Sequence, residues 1–290
     1  MNPVPSLRNA LDPSPHEAAL APPHGNLVAA HRENSVAVHY AEDGPRTGRP
    51  VVLSGSLGSD LRMWEPQLAA LTGAGFRVVR YDHRGHGDSP VSRGPYTLGD
   101  LGGDVLALLD RLGIGAVDFV GLSLGGMVGM WLAQHAPERL RTLTLCCTSA
   151  ELGPPSGWSE RARIVRAEGI QAISQSVVQR WFTPAWLAAD PERTRDYEKM
   201  VAATPSEGYA ACCAAIETMD IATRLPGITA PTLVISGAED PATPPPHGRR
   251  IATEIPGASF EIVSPGAHLA SAEQPAAVND LILRHLKDHA

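Results

Sequence analysis

Short apolar runs alternate with stretches of helical period along most of the chain, and this rhythm restricts the fold more than any other feature. Val51-Val52-Leu53, Arg77–Tyr81, Val117–Val120, Leu143-Thr144-Leu145, Thr232–Ile235 and Phe260–Val263 read as strands. Trp64–Leu71, Leu98–Leu112, a segment ending near His135 and Ala276–Leu286 carry helical spacing. Strands joined by helices imply an α/β fold with a mostly parallel sheet, helices on both faces and right-handed crossovers. Upstream, Leu27, Ala29 and His31, then Val36, Val38 and Tyr40, alternate on either side of Asn34. That is the pattern of a strand pair.

The rhythm breaks between residues 151 and 222. No strand is evident there. Helical stretches near 158–168, 170–182, 190–203 and 206–218 are punctuated by Pro184, Pro191 and Pro205. The economical reading is a helical cap inserted at 151–222 between two parts of one core, 26–150 and 223–290. Residues 1–25 hold Pro3, Pro5, Pro13, Pro15, Pro22 and Pro23 without a sustained period, which reads as a flexible tail.

Charge excludes some partners. The 24 Lys and Arg against 31 Asp and Glu leave a net charge of −7, which argues against nucleic-acid binding. No apolar run reaches membrane-spanning length and no signal peptide is evident, so a cytoplasmic protein is expected. The four cysteines form two adjacent pairs, Cys146-Cys147 and Cys212-Cys213, without CxxC spacing. They read as small buried hydrophobes.

Gly121-Leu122-Ser123-Leu124-Gly125 follows one strand and opens a helix. In that setting G-x-S-x-G is a nucleophile elbow: a tight turn lifts the serine hydroxyl over the sheet edge, and a helix N-terminus favours a developing anion. A serine nucleophile needs a base, and the base an orienting acid, here in the order Ser, Asp or Glu, His. Asp240 and His268 each follow a late strand and leave the same sheet edge as Ser123. Glu239 is the nearest rival to Asp240, which lies further into its loop. Backbone N–H groups of Leu57, in the loop after Val51–Leu53, and of Leu124 are the expected oxyanion donors. Asp82, His83 and His86 lie in a glycine-rich turn, which reads as structural rather than as a metal site. No metal and no cofactor are expected.

Together these segments resemble the α/β-hydrolase superfamily over about residues 27–288, with Asp82–Ser89 matching its D-x-R-G-x-G-x-S turn. The likeness is closer to 3-oxoadipate enol-lactonases. Leu53–Trp64, Gly121–Met127 with Ala136–Leu140, Arg180–Pro184 and Thr204–Tyr209 carry it. Gly55-Ser56 departs from the His-Gly and Asn-Ser pairs of such loops, which touches side-chain roles but not the amide donor. The resemblance implies an α/β-hydrolase fold and a serine hydrolase that opens a small carboxylate-bearing lactone, most simply 3-oxoadipate enol-lactone. A cation then has to face the pocket. Trp158 and Arg161, one helical turn apart, are the candidates, with Arg180 and Trp181 as rivals. The alternatives are a carboxylesterase, a C–C hydrolase, a cofactor-free perhydrolase, or a module that binds a lactone without turnover. Oligomeric state is not readable here.

Overall fold

The computed structural model describes residues 31 and 33–290, so the reading of 1–25 as a tail lies outside the described residues. Seven strands form one sheet: β1 (Tyr40–Asp43), β2 (Pro50–Ser54), β3 (Arg77–Tyr81), β4 (Val117–Leu122), β5 (Leu140–Cys146), β6 (Thr232–Gly237) and β7 (Ser259–Val263). Their spatial order is β1-β3-β2-β4-β5-β6-β7. β1 runs antiparallel to β3, and every other neighbouring pair is parallel. All residues of β4 are buried, as a strand covered on both faces requires.

Helices α1 (Glu65–Gly73), α2 (Leu98–Arg111) and α3 (Leu124–His135) belong to the first part of the core. Five follow in succession: α4 (Pro155–Glu168), α5 (Gln171–Trp181), α6 (Pro184–Ala189), α7 (Pro191–Ala203) and α8 (Ser206–Glu217). α9 (Pro245–Glu254), α10 (Ala270–Glu273) and α11 (Pro275–Asp288) complete the chain. α2 begins in a reciprocal capping box: Thr97 Oγ1 accepts from the Asp100 N–H, and the Asp100 carboxylate accepts from the Thr97 N–H.

The expected strand pair at 27–40 does not form as read. Residues 27–30 lie outside the described set, His31 is helical, and the strand begins only at Tyr40. The reason lies in the hydrogen bonds of the intervening backbone. Val36 N–H donates to Asp104 Oδ1 at 2.7 Å, Val38 O accepts from Arg111, and His39 N–H donates to Ser89 Oγ at 2.8 Å. Side chains satisfy this segment, and its partner strand β3 is met only from Tyr40 onward.

The five-helix segment rests on the core through a backbone contact. Gly208 at the start of α8 faces Gly85, and a Cβ on Gly208 would lie 2.1 Å from the Gly85 carbonyl oxygen. Tyr96 N–H also donates to Ala211 O at 3.2 Å. This seats α8 against the segment that follows β3.

Candidate active site

Ser123 stands between β4 and α3 with φ 56° and ψ −113°, a conformation that non-glycine residues rarely adopt. Neighbouring contacts hold it there. Its N–H donates to Cys146 O at 3.0 Å, and its carbonyl accepts from Thr148 Oγ1 at 2.7 Å. Glycine is required on both sides. A Cβ on Gly121 would lie 2.2 Å from Gly125 O, and one on Gly125 would lie 2.1 Å from Ser54 O.

Asp240 and His268 leave the ends of β6 and β7. His268 Nδ1 lies 2.9 Å from Asp240 Oδ2, so the ring donates to the carboxylate and Nε2 is the nitrogen left basic. Asp240 Oδ1 accepts from the Ala242 and Thr243 N–H groups, and Oδ2 also accepts from Thr243 Oγ1. Burial opposes the carboxylate charge, but His268 and the Thr243 bonds outweigh it and lower the pKa to about 2. Glu239 is exposed, and its N–H donates to Gly266 O.

Ser123, His268 and Leu57 line one cavity with Ser56, Trp158, Arg161, Arg180 and Tyr209. Ser123, Asp240 and His268 are 8%, 3% and 4% exposed. Leu124, at the first position of α3, is fully buried and is not among the residues that line the cavity. Among the described residues, no acceptor takes the Leu57 or Leu124 N–H.

Two guanidiniums meet this cavity. Arg161 lies 5.6 Å from the ring centroids of both Trp158 and Tyr209, and its buried Nε has no partner. Desolvation and the neighbouring Arg161 charge lower the pKa of Arg180. Among the described residues, neither arginine pairs with a carboxylate. Trp158 Nε1 already donates to Leu152 O at 2.9 Å, so its indole serves as a wall and a stacking face. The sequence reading offers Arg180 only as a rival and does not place Tyr209 or Thr243 at the site. A hydroxyl three residues after Asp240 was the one available signal for Thr243.

Asp82, His83 and His86 bond to separate partners. Asp82 Oδ1 accepts from Leu61 N–H, and Oδ2 accepts from Asp88 N–H beside His39. His83 Nε2 donates to Gly55 O at 3.1 Å, and His86 Nε2 accepts from Gly58 N–H at 3.0 Å. Among the described residues, no group of three or more His, Cys, Asp or Glu is arranged to hold a metal ion.

Burial lowers the pKa of His83 to about 3, with His86 adding to the effect, and lowers that of His86 to about 4. The unfolded chain protonates both near their ordinary 6.5, so it binds more protons than the folded protein between pH 6.5 and about 4. Stability therefore falls as pH drops through that window. The thermal midpoint is expected to be about 10 °C lower at pH 4.5 than at pH 7. A midpoint that does not move would contradict the burial of these rings.

The chain matches the α/β hydrolase fold family over residues 49–275, and it belongs to that family. Among its relatives, 3-oxoadipate enol-lactonase 2 of Acinetobacter baylyi is 39% identical over 247 residues, covering 85% of this chain and 92% of that protein. The crystal structure of the enol-lactonase from Burkholderia xenovorans LB400 is similar with a TM-score of 0.84 and 41% identity, over 86% of this chain and 96% of that one. A thermophilic esterase from Thermogutta terrifontis, solved with malate bound, has a TM-score of 0.82 and 31% identity, over 87% and 93%. Among the described residues, no helix is long and apolar enough to cross a membrane.

Proposed function

We propose that this protein is a serine-type hydrolase that opens a small lactone bearing a carboxylate, with 3-oxoadipate enol-lactone as the substrate. The observation that carries this reading is one cavity joining Ser123 and the His268–Asp240 pair to two arginines without a carboxylate partner among the described residues. The names of the similar lactonases point the same way.

In the mechanism, His268 Nε2 takes the Ser123 proton as Oγ attacks the lactone carbonyl. The Leu57 and Leu124 N–H groups receive the oxyanion. Collapse breaks the bond to the ring oxygen, and the leaving enolate takes the proton from His268 and tautomerises to a ketone. Water, deprotonated by His268, then attacks the acyl-serine ester, and the acid is released as Ser123 regains its proton. Asp240 holds the ring tautomer and stabilises the imidazolium.

Arg161 supplies the cation for the substrate carboxylate, held within 5.6 Å of the Trp158 and Tyr209 ring centroids, with Arg180 adding positive charge. Arg161→Ala is expected to raise KM for the anionic lactone about 10- to 100-fold, the worth of one charge-assisted hydrogen bond. KM for a neutral p-nitrophenyl ester should stay within about twofold. Equal effects on both substrates would remove Arg161 from the carboxylate site.

Likeness to the Thermogutta esterase favours a second reading, a carboxylesterase with the same catalytic groups. A higher kcat/KM on neutral esters than on the anionic lactone would select it.

A further inference from the structure

The Leu57 N–H can serve as an oxyanion donor only while its peptide plane is held, and the contacts that hold it come from outside the loop as well as from within it. Inside the loop, the Ser56 carbonyl accepts from Ser59 N–H at 3.1 Å and from Ser59 Oγ at 2.8 Å. The C=O and N–H of a trans peptide point in opposite directions, so this turns the Leu57 N–H away from Ser59. The next peptide is fixed from the Asp82–Ser89 turn, where fully buried His86 accepts the Gly58 N–H at 3.0 Å. An accepting Nε2 requires the proton on Nδ1, which faces Arg84 O at 3.3 Å. Gly58 itself is left-handed, with φ +84°. Its carbonyl lies 3.3 Å from Thr204 Oγ1, and the Tyr209 ring closes over it, 3.1 Å from where a Cβ would stand.

We propose that His86 is a positioning residue for the oxyanion hole. It holds the Leu57–Gly58 peptide so that the Leu57 N–H stays aimed into the cavity. Thr204 and Tyr209 on the far side of Gly58 make the helical segment part of the same clamp, so oxyanion stabilisation depends on how that segment is seated. The proposal rests on the reading of the site as a serine hydrolase. It concerns neither substrate identity nor the carboxylate subsite.

The test compares His86→Leu, which removes the acceptor, with His86→Gln, whose amide oxygen reaches the position of Nε2. Thr204→Val, of similar shape without the hydroxyl, is the third variant. Hydrolysis of a p-nitrophenyl ester that depends on Ser123 is measured with inhibition by a short boronic acid, whose serine adduct places an oxygen in the oxyanion hole. A full oxyanion donor is worth about 10²–10³ in kcat, so a misaligned one in His86→Leu is expected to cost about 10-fold, with KM within about twofold. Boronic acid affinity should fall in parallel, and His86→Gln should recover most of both. Unchanged kcat in His86→Leu, or equal losses in the Leu and Gln variants, overturns the clamp. If His86→Leu does not fold, Thr204→Val decides: lower kcat at constant KM supports the clamp, and unchanged kcat overturns it. Absence of Ser123-dependent hydrolysis in the wild type overturns the reading of the site and the clamp with it.

Discussion

Ser123→Ala is expected to lower kcat on the matched lactone by about 10⁴- to 10⁶-fold, because the remaining groups stabilise charge but form no acyl-enzyme. The neighbouring thiol offers no substitute nucleophile. Cys147 is buried, its Sγ–H is directed at Ala267 O, and burial pushes its pKa well above the ordinary thiol range. The substitution removes one buried oxygen and leaves the bonds that set the turn, which are made by backbone atoms of Ser123. Circular dichroism should therefore match the wild type. Residual activity within about tenfold of wild type would mean that the reaction does not pass through Ser123.

Asp240→Asn is the second large effect, with an expected loss of about 10⁴ in kcat. The geometry gives the reason. Asp240 Oδ2 accepts from both His268 Nδ1 and Thr243 Oγ1, while Oδ1 accepts two backbone N–H groups. Asparagine matches the shape but has only one acceptor atom. The two backbone donors hold its oxygen at the Oδ1 position, so its NH₂ faces His268. The ring then accepts at Nδ1 and carries its proton on Nε2, where it cannot take one from Ser123. Glu239→Gln is the matched control, since Glu239 is exposed, and its kcat should stay within about twofold of wild type. The reverse pattern, a loss at Glu239 and none at Asp240, would reassign the acid.

The elbow was legible because its requirements are local. Gly121 and Gly125 leave no room for a Cβ, and the strand before them and the helix after them show in the apolar pattern. Asp240 and His268 were legible from chain order, because parallel strands send their C-terminal loops to one edge. Elements whose partners lie far away in sequence were not. The backbone of 36–39 alternates like a strand, yet Asp104, Arg111 and Ser89 take its hydrogen bonds. Pro184 and Pro191 looked like breaks and instead stand at the first turns of α6 and α7, where proline is tolerated because its missing N–H has no partner to lose. The convergence of Arg161 on α4, Arg180 on α5 and Tyr209 on α8 follows from helix packing that no single period encodes. His86 reads as one more polar residue of a turn until Gly58 is seen beside it, 28 positions upstream.

The most direct measurement is the ultraviolet absorbance of freshly generated 3-oxoadipate enol-lactone mixed with wild-type protein and with Ser123→Ala. The account predicts rapid loss of absorbance with the wild type and only the spontaneous rate with the variant. No acceleration by the wild type, from a preparation that still cleaves a neutral p-nitrophenyl ester, would contradict the lactonase assignment and leave a serine hydrolase of another specificity.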